Sequence, residues 1–201
     1  MSPRPRKVTD EQVFQATHRA MVRVGPGELT LAEIGREAGL TAGALVQRFG
    51  SKRDLLLALS SRFSGGTGEM FEELRRTHRS PLATLRAYGE CISHLATSPA
   101  ALARNLSYLQ IDLTDPDFRK HLVAQARASR VELQSLIQDA VHARELVPGT
   151  KARTLARTVE AILGGSMMAW AYYQEGTAAQ WMRKDLEAVL EPHIVKRKRS
   201  G

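Results

Sequence analysis

Gln47 and Arg48 stand out among the polar residues because of what surrounds them in the chain. Ala42, Gly43 and Ala44 come just before, and side chains that small let a short helix press close to the edge of a base pair or to a thymine methyl group. Lys52 follows at the start of the next helical pattern, where its charge adds to free backbone amides to form a phosphate site. The chemistry these residues could perform together is non-covalent recognition of double-stranded DNA, with donors for nucleotide edges and an ammonium group for the backbone.

Reaction chemistry has much weaker support. His18, His78, His94, His121, His142 and His193 are scattered without metal-ligand spacing, and no Gly-x-Ser-x-Gly elbow, nucleotide-binding loop or dinucleotide fingerprint occurs. Gly164-Gly165-Ser166 lies inside a helical pattern, where packing explains it better than a nucleophile does. The single cysteine, Cys91, excludes an internal disulfide and a thiolate metal cluster, and its place beside an apolar helix face suits a buried thiol. The expectation is a protein that is not an enzyme, carries no cofactor or metal, and works in the cytoplasm.

Composition agrees with a folded, helical chain. Hydrophobic residues make up 43% and charged residues 25% of the sequence, while aromatics are only 5% and β-branched runs are scarce, so propensity favours an all-α fold. A net charge of +8 makes a polyanion the natural partner, with an anionic membrane surface as the rival reading. The basic stretch Pro3-Arg4-Pro5-Arg6-Lys7 is not followed by an apolar segment of signal-peptide length, and no apolar run is long enough to span a bilayer.

The elements that must position the polar residues follow from periodicity and punctuation. From Thr9, the residues Val13, Phe14, Thr17, Met21 and Val24 share one helical face, and Gly25-Pro26-Gly27 ends that helix. Thr30 opens a second helix with a capping box, its hydroxyl accepting from the Glu33 amide and the Glu33 carboxylate reaching back to Thr30. Leu31, Ile34 and Ala38 form its buried stripe. Gly39-Leu40-Thr41 is a tight turn in which Gly39 is left-handed and Thr41 caps a third helix running through Phe49, with Leu45 and Phe49 pointing inward. Ser51 and Asp54 cap a fourth helix whose phase, through Leu56, Leu59, Phe63, Thr67, Met70 and Leu74, extends to about Arg76, with a kink, break or hinge at Gly65-Gly66.

Further on, Ser80-Pro81 starts a helix with Leu82, Leu85, Tyr88, Ile92 and Leu95 on one face, and Ser98-Pro99 interrupts it. A helix over about 100–113 follows. Asp115-Pro116-Asp117 opens another, with the stripe Leu122, Ala126, Ser129, Leu133, Leu136 and Ala140, closed by Pro148-Gly149. The last two helices cover about 150–175 and 178–193 and join at Gly176. The organisation is a flexible basic arm (1–8), a three-helix helix-turn-helix domain (9–50), a larger helical domain (51–195) and a basic tail (196–201), about nine helices in all.

The matches Gly25, Thr30, Ile34, Ala38, Gly39, Gly43, Leu45, Phe49, Lys52 and Leu55 carry a resemblance to the N-terminal domain of tetracycline-repressor (TetR) type regulators, over about 9–59. Three positions depart from the family's pattern. Gly35 replaces the Ala that follows Ile34, Val46 stands where the family usually has a Tyr that touches a phosphate, and Arg48 stands where it often has His and offers a charged contact instead. The resemblance implies a DNA-facing set of Thr30, Thr41, Ala42, Gly43, Ala44, Val46, Gln47, Arg48 and Lys52.

For the remainder it implies a larger domain that binds a small effector and pairs two copies through the last two helices. The interface would use Leu155, Ile162, Gly165, Trp170, Trp181, Leu186 and Val189. Phe63, Met70, Phe71, Tyr88, Ile92, Tyr108, Met167, Met168 and Tyr173 supply the Met and aromatic surface for an adaptable apolar pocket. The whole would be a homodimeric repressor of a palindromic operator, released by its effector and without a membrane partner.

Overall fold

A computed structural model describes residues 8–196. The expected basic arm and tail therefore lie outside the described residues, except for Val8 and Lys196. Ten α-helices are present among those described: α1 (Asp10–Glu28), α2 (Leu31–Ala38), α3 (Ala42–Phe49), α4 (Lys52–Gly65), α5 (Thr67–Thr77), α6 (Pro81–Ser93), α7 (Pro99–Thr114), α8 (Pro116–His142), α9 (Ala152–Tyr173) and α10 (Ala178–Leu190). They form two compact units. One contains the chain up to Phe63 together with Ala103–Leu122, and the other contains Ser64–Leu102 together with the chain from Val123 onward.

In the first unit α1 starts on a capping box, with the Thr9 hydroxyl accepting from the Gln12 amide at 3.2 Å and Gln12 Oε1 accepting from the Thr9 amide at 2.9 Å. It buries Val13, Ala16, Thr17 and Ala20. Gly25 ends its regular part by taking φ 75° and ψ 173°, which a side chain would disfavour. Pro26 has no N–H, so the carbonyl of Val22 loses its helical donor, and Arg104 Nε from α7 supplies the missing bond at 2.6 Å.

The core is completed by Leu29, Ile34, Leu45, Leu55 and Tyr108. Three helices alone bury too little apolar surface to be stable, so the unit takes in nearly all of α4, most of α7 and the start of α8. This differs from the expected boundary at residue 50.

The second unit is built around Phe71, Leu85, Leu133, Leu136, Ile137, Leu155, Val159, Met182 and Leu186, all between 0% and 4% exposed. Burying each such side chain contributes about 1.5–3 kcal/mol. Exposed pairs such as Arg76 with Glu73 are screened by solvent and contribute little, so apolar burial rather than charge sets the stability of this unit.

Ser80 caps α6 by accepting from the Ala83 amide at 3.2 Å, with Pro81 in the first turn, and Ser98 caps α7 through the Ala101 amide at 3.1 Å. Two stripe assignments are corrected. Leu95 falls in a 3₁₀ turn after α6 and is 43% exposed, and Ala126 lies on an exposed stretch of α8 where Ile137, outside the expected stripe, is fully buried.

The expected fourth helix is two helices. Gly66, at φ −82° and ψ −3°, caps α5 without a side-chain hydrogen bond, and the unit boundary falls beside it at Phe63/Ser64. The break raises the helix total to ten.

Candidate nucleic-acid interface

The turn between α2 and α3 is set by two glycines. Gly39 adopts φ 68° and ψ 32°, which reverses the chain, and the Leu40 amide donates to the Gly35 carbonyl at 2.8 Å. A Cβ on Gly35 would lie 2.5 Å from the Leu40 carbonyl oxygen, so the tight corner accounts for glycine where the resembled pattern has alanine. Thr41 then caps α3, accepting from the Ala44 amide at 3.1 Å.

Leu45 is fully buried and Phe49 half-buried, its ring 6.0 Å from that of Phe14. These two contacts hold α3 by one side. The opposite side, Gly43, Val46 and Gln47, is exposed, with Val46 at 48%. Spacings of three and four residues put those three positions on one face. Ala42 and Ala44 flank it, half-buried.

Thr30 caps α2 as expected, accepting from the Glu33 amide at 3.1 Å. The reciprocal half of that capping box does not form. The Glu33 carboxylate turns instead to Arg23 Nη2 at 2.6 Å and Arg36 Nη1 at 2.7 Å, because two guanidinium groups outcompete one backbone amide. The Arg23 and Arg36 bonds hold the Glu33 carboxyl below its ordinary pKa.

Arg48 is engaged within the unit. Its Nη1 donates to the Val8 carbonyl at 2.7 Å, its Nη2 pairs with the Asp10 carboxylate, and its guanidinium lies 5.5 Å from the Phe49 ring centre. The contact ties the start of α1 to the end of α3. Lys52 donates from Nζ to the Leu29 carbonyl at 2.8 Å, which pins α4 to the α1–α2 corner and leaves two of its three ammonium hydrogens for another acceptor. Ser51 caps α4, accepting from the Asp54 amide at 3.1 Å. Neither internal contact was legible in the sequence, since both join residues distant along the chain.

Arg53 adds a third such contact, with Nη2 bonded to Asp115 at 2.9 Å and Asp117 at 2.7 Å across the start of α8.

The nine residues expected to line a pocket are divided between the two units. Phe63 and Tyr108 belong to the first unit. Phe63 is 44% exposed, with its ring edge-on to His18, and Tyr108 is buried with a hydroxyl that has no hydrogen-bond partner among the described residues, its pKa pushed up to about 12 by burial. Tyr173 is 66% exposed and stacks on Trp181. Phe71 and Tyr88 stack at 4.9 Å inside the second unit's core, where burial also pushes the Tyr88 phenol up to about 12. Met70, Ile92, Met167 and Met168 are half-buried beside the apolar clusters of that unit. A separate groove of about 390 Å³ is lined by Lys151, Leu155, Thr158, Val189 and His193.

The expected pairing surface also divides. Leu155, Trp170 and Leu186 are 4%, 5% and 2% exposed because their own unit's core takes them up, which leaves them little surface to offer a second copy. Trp170 and Trp181 donate their indole N–H groups to the Gly176 and Glu175 carbonyls at 3.2 and 2.7 Å, fixing the turn between α9 and α10. Gly165 is exposed, while Ile162, Trp181 and Val189 are half-buried. Ser166, buried in α9, has its hydroxyl 2.6 Å from Asp185 Oδ2 and 2.7 Å from the Ile162 carbonyl, so it is used for packing α9 against α10.

A capped helix, a left-handed glycine turn and a short helix held by its inner side define the helix-turn-helix class of DNA-binding domain. The family comparison gives the same class and narrows it. The model for bacterial regulatory proteins of the tetR family matches residues 13–59, and that for the tetracycline repressor-like C-terminal domain matches residues 108–186. The chain belongs to the tetR family of transcription regulators, which are DNA-binding proteins and not enzymes.

Solved structures share the fold. A TetR transcription regulator from Haloarcula marismortui is 17% identical with a TM-score of 0.72, covering 92% of this chain and 98% of its own. A TetR-family regulator from Agrobacterium tumefaciens is 22% identical with a TM-score of 0.71, covering 92% and 97%. The reduced form of NemR from E. coli is 14% identical with a TM-score of 0.72, covering 94% and 98%. The sequence has no match among curated proteins. No helix of the described residues is long and apolar enough to cross a membrane.

Proposed function

We propose that the chain is a homodimeric, sequence-specific repressor in the cytoplasm that leaves a pseudo-palindromic operator when a small-molecule effector binds. The observation that carries the DNA-reading part is the two-sidedness of α3, fully buried at Leu45 and open at Gly43, Val46 and Gln47. A helix presented that way enters a major groove, where each base pair shows a distinct pattern of donors and acceptors. Lys52 and the amides at the start of α4 serve the phosphates.

Two-fold pairing through the exposed parts of α9 and α10, near Ile162, Gly165 and Val189, would bring two α3 helices to successive groove faces. Family membership supports this pairing, and also the small effector. The effector's contacts are assigned to the second unit, where Met70, Ile92, Met167 and Met168 offer adaptable apolar surface. Its binding must favour one of two conformations, and the α4–α5 break at Gly65-Gly66 is the proposed pivot.

Selection of bound duplexes from random DNA, at two salt concentrations, tests the reading. One half-site sequence repeated as an inverted pair is the expected result, with affinity falling steeply as salt rises. Lys52→Ala is expected to weaken binding to all sequences about equally and to reduce the salt slope by about one. Failure to enrich any sequence would remove the proposal.

A further inference from the structure

The one cation of α3, Arg48, is exposed but held by contacts within its own unit. Arg48, the α3 side chain suited to the paired acceptors of guanine, is committed to the Asp10 carboxylate and the Val8 carbonyl. Nearby guanidinium groups are also paired: Arg36 and Arg23 with Glu33, and Arg19 with Glu37. Beside Arg48 on the face are Gln47, whose amide sets an NH2 donor group next to a carbonyl acceptor, and Val46, a 48% exposed apolar side chain.

Chemistry then selects the bases. Adenine presents a ring acceptor and an amino donor side by side, the complement of a glutamine amide. Thymine presents a methyl group, the partner of an exposed branched apolar side chain. Guanine presents two acceptors, which a single amide cannot satisfy in a two-point contact. We infer that α3 reads adjacent A·T pairs, with Gln47 on adenine and Val46 against a thymine methyl, and that Arg48 is a positioning residue holding the start of α1 to α3 rather than a reader of bases.

The inference rests on the proposed DNA-reading role of α3, and the experiment separates the two. Full-length protein is used to select duplexes, and the enriched site is remade with deoxyuridine in place of single thymidines. Adenine and thymine are expected at the positions facing α3. Gln47→Ala should relax the adenine preference by about ten- to a hundredfold. Loss of the thymine methyl should weaken wild-type binding about fourfold and leave Val46→Ala indifferent. Arg48→Ala should lower affinity without changing base preference, and Asp10→Ala should also lower it, since both variants open the same clasp.

Enrichment of guanine that disappears in Arg48→Ala, or tighter binding by Asp10→Ala, would overturn the inference while leaving the DNA-reading role standing. So would a base preference indifferent to Gln47→Ala. A wild-type protein that enriches no sequence would overturn both.

Discussion

Single residues in the first unit show how charge and burial fix the reading head. Glu33 is held below its ordinary pKa of 4.5 by the Arg23 and Arg36 bonds. In the unfolded chain it takes up its proton at higher pH than in the folded one, so its contribution to stability is present above about 4.5 and is lost as pH falls through the lowered folded value. Urea unfolding from pH 7 down to pH 3 is expected to show a shallower acid decline for Glu33→Gln than for the wild type; equal slopes would contradict the assignment. Tyr108 makes the opposite point. Its buried hydroxyl lacks a partner among the described residues, which costs the fold, so Tyr108→Phe is expected to raise stability by about 1 kcal/mol in a denaturant melt. A loss of stability would mean that the hydroxyl is bonded in solution.

At the scale of elements, the α4–α5 break is informative because it is not forced by backbone geometry. Gly65 is helical, and a Cβ there would meet nothing within 4 Å. Alanine should therefore fit, and Gly65→Ala is expected to stabilise the protein by about 0.5–1 kcal/mol through helix propensity and a less flexible unfolded chain. Thermal melts give the measurement, and destabilisation would show that the break needs its glycine. A glycine where alanine would fit is consistent with the proposed pivot. The α2–α3 corner contrasts with it, since a Cβ at Gly35 collides with backbone.

For the whole molecule, the question is which surfaces remain for a second copy once each unit has formed its own core. Leu186 is 2% exposed, and Leu186→Ala is expected to cost about 2–5 kcal/mol of protomer stability, read by thermal unfolding. Gly165 faces out and a Cβ there meets nothing, so Gly165→Arg should leave the fold intact and disrupt pairing. Sedimentation should show a dimer for wild type and a monomer for Gly165→Arg at the same micromolar concentration. A variant that still sediments as a dimer would place the interface elsewhere.

What the sequence determined on its own was the local order: the helices, their caps at Thr30, Thr41, Ser51 and Ser80, the turn at Gly39, and the inward side of α3 at Leu45. Those features depend on residues within a turn or two of each other, so periodicity and capping chemistry are enough to specify them. Tertiary structure decided the rest. It took Arg48 for Asp10 and Lys52 for Leu29, drew Leu155, Trp170 and Leu186 into the core, and divided the expected pocket residues between two units. A cation or an apolar side chain can be satisfied by any suitable group the fold brings near, and distance along the chain carries no record of which group that will be.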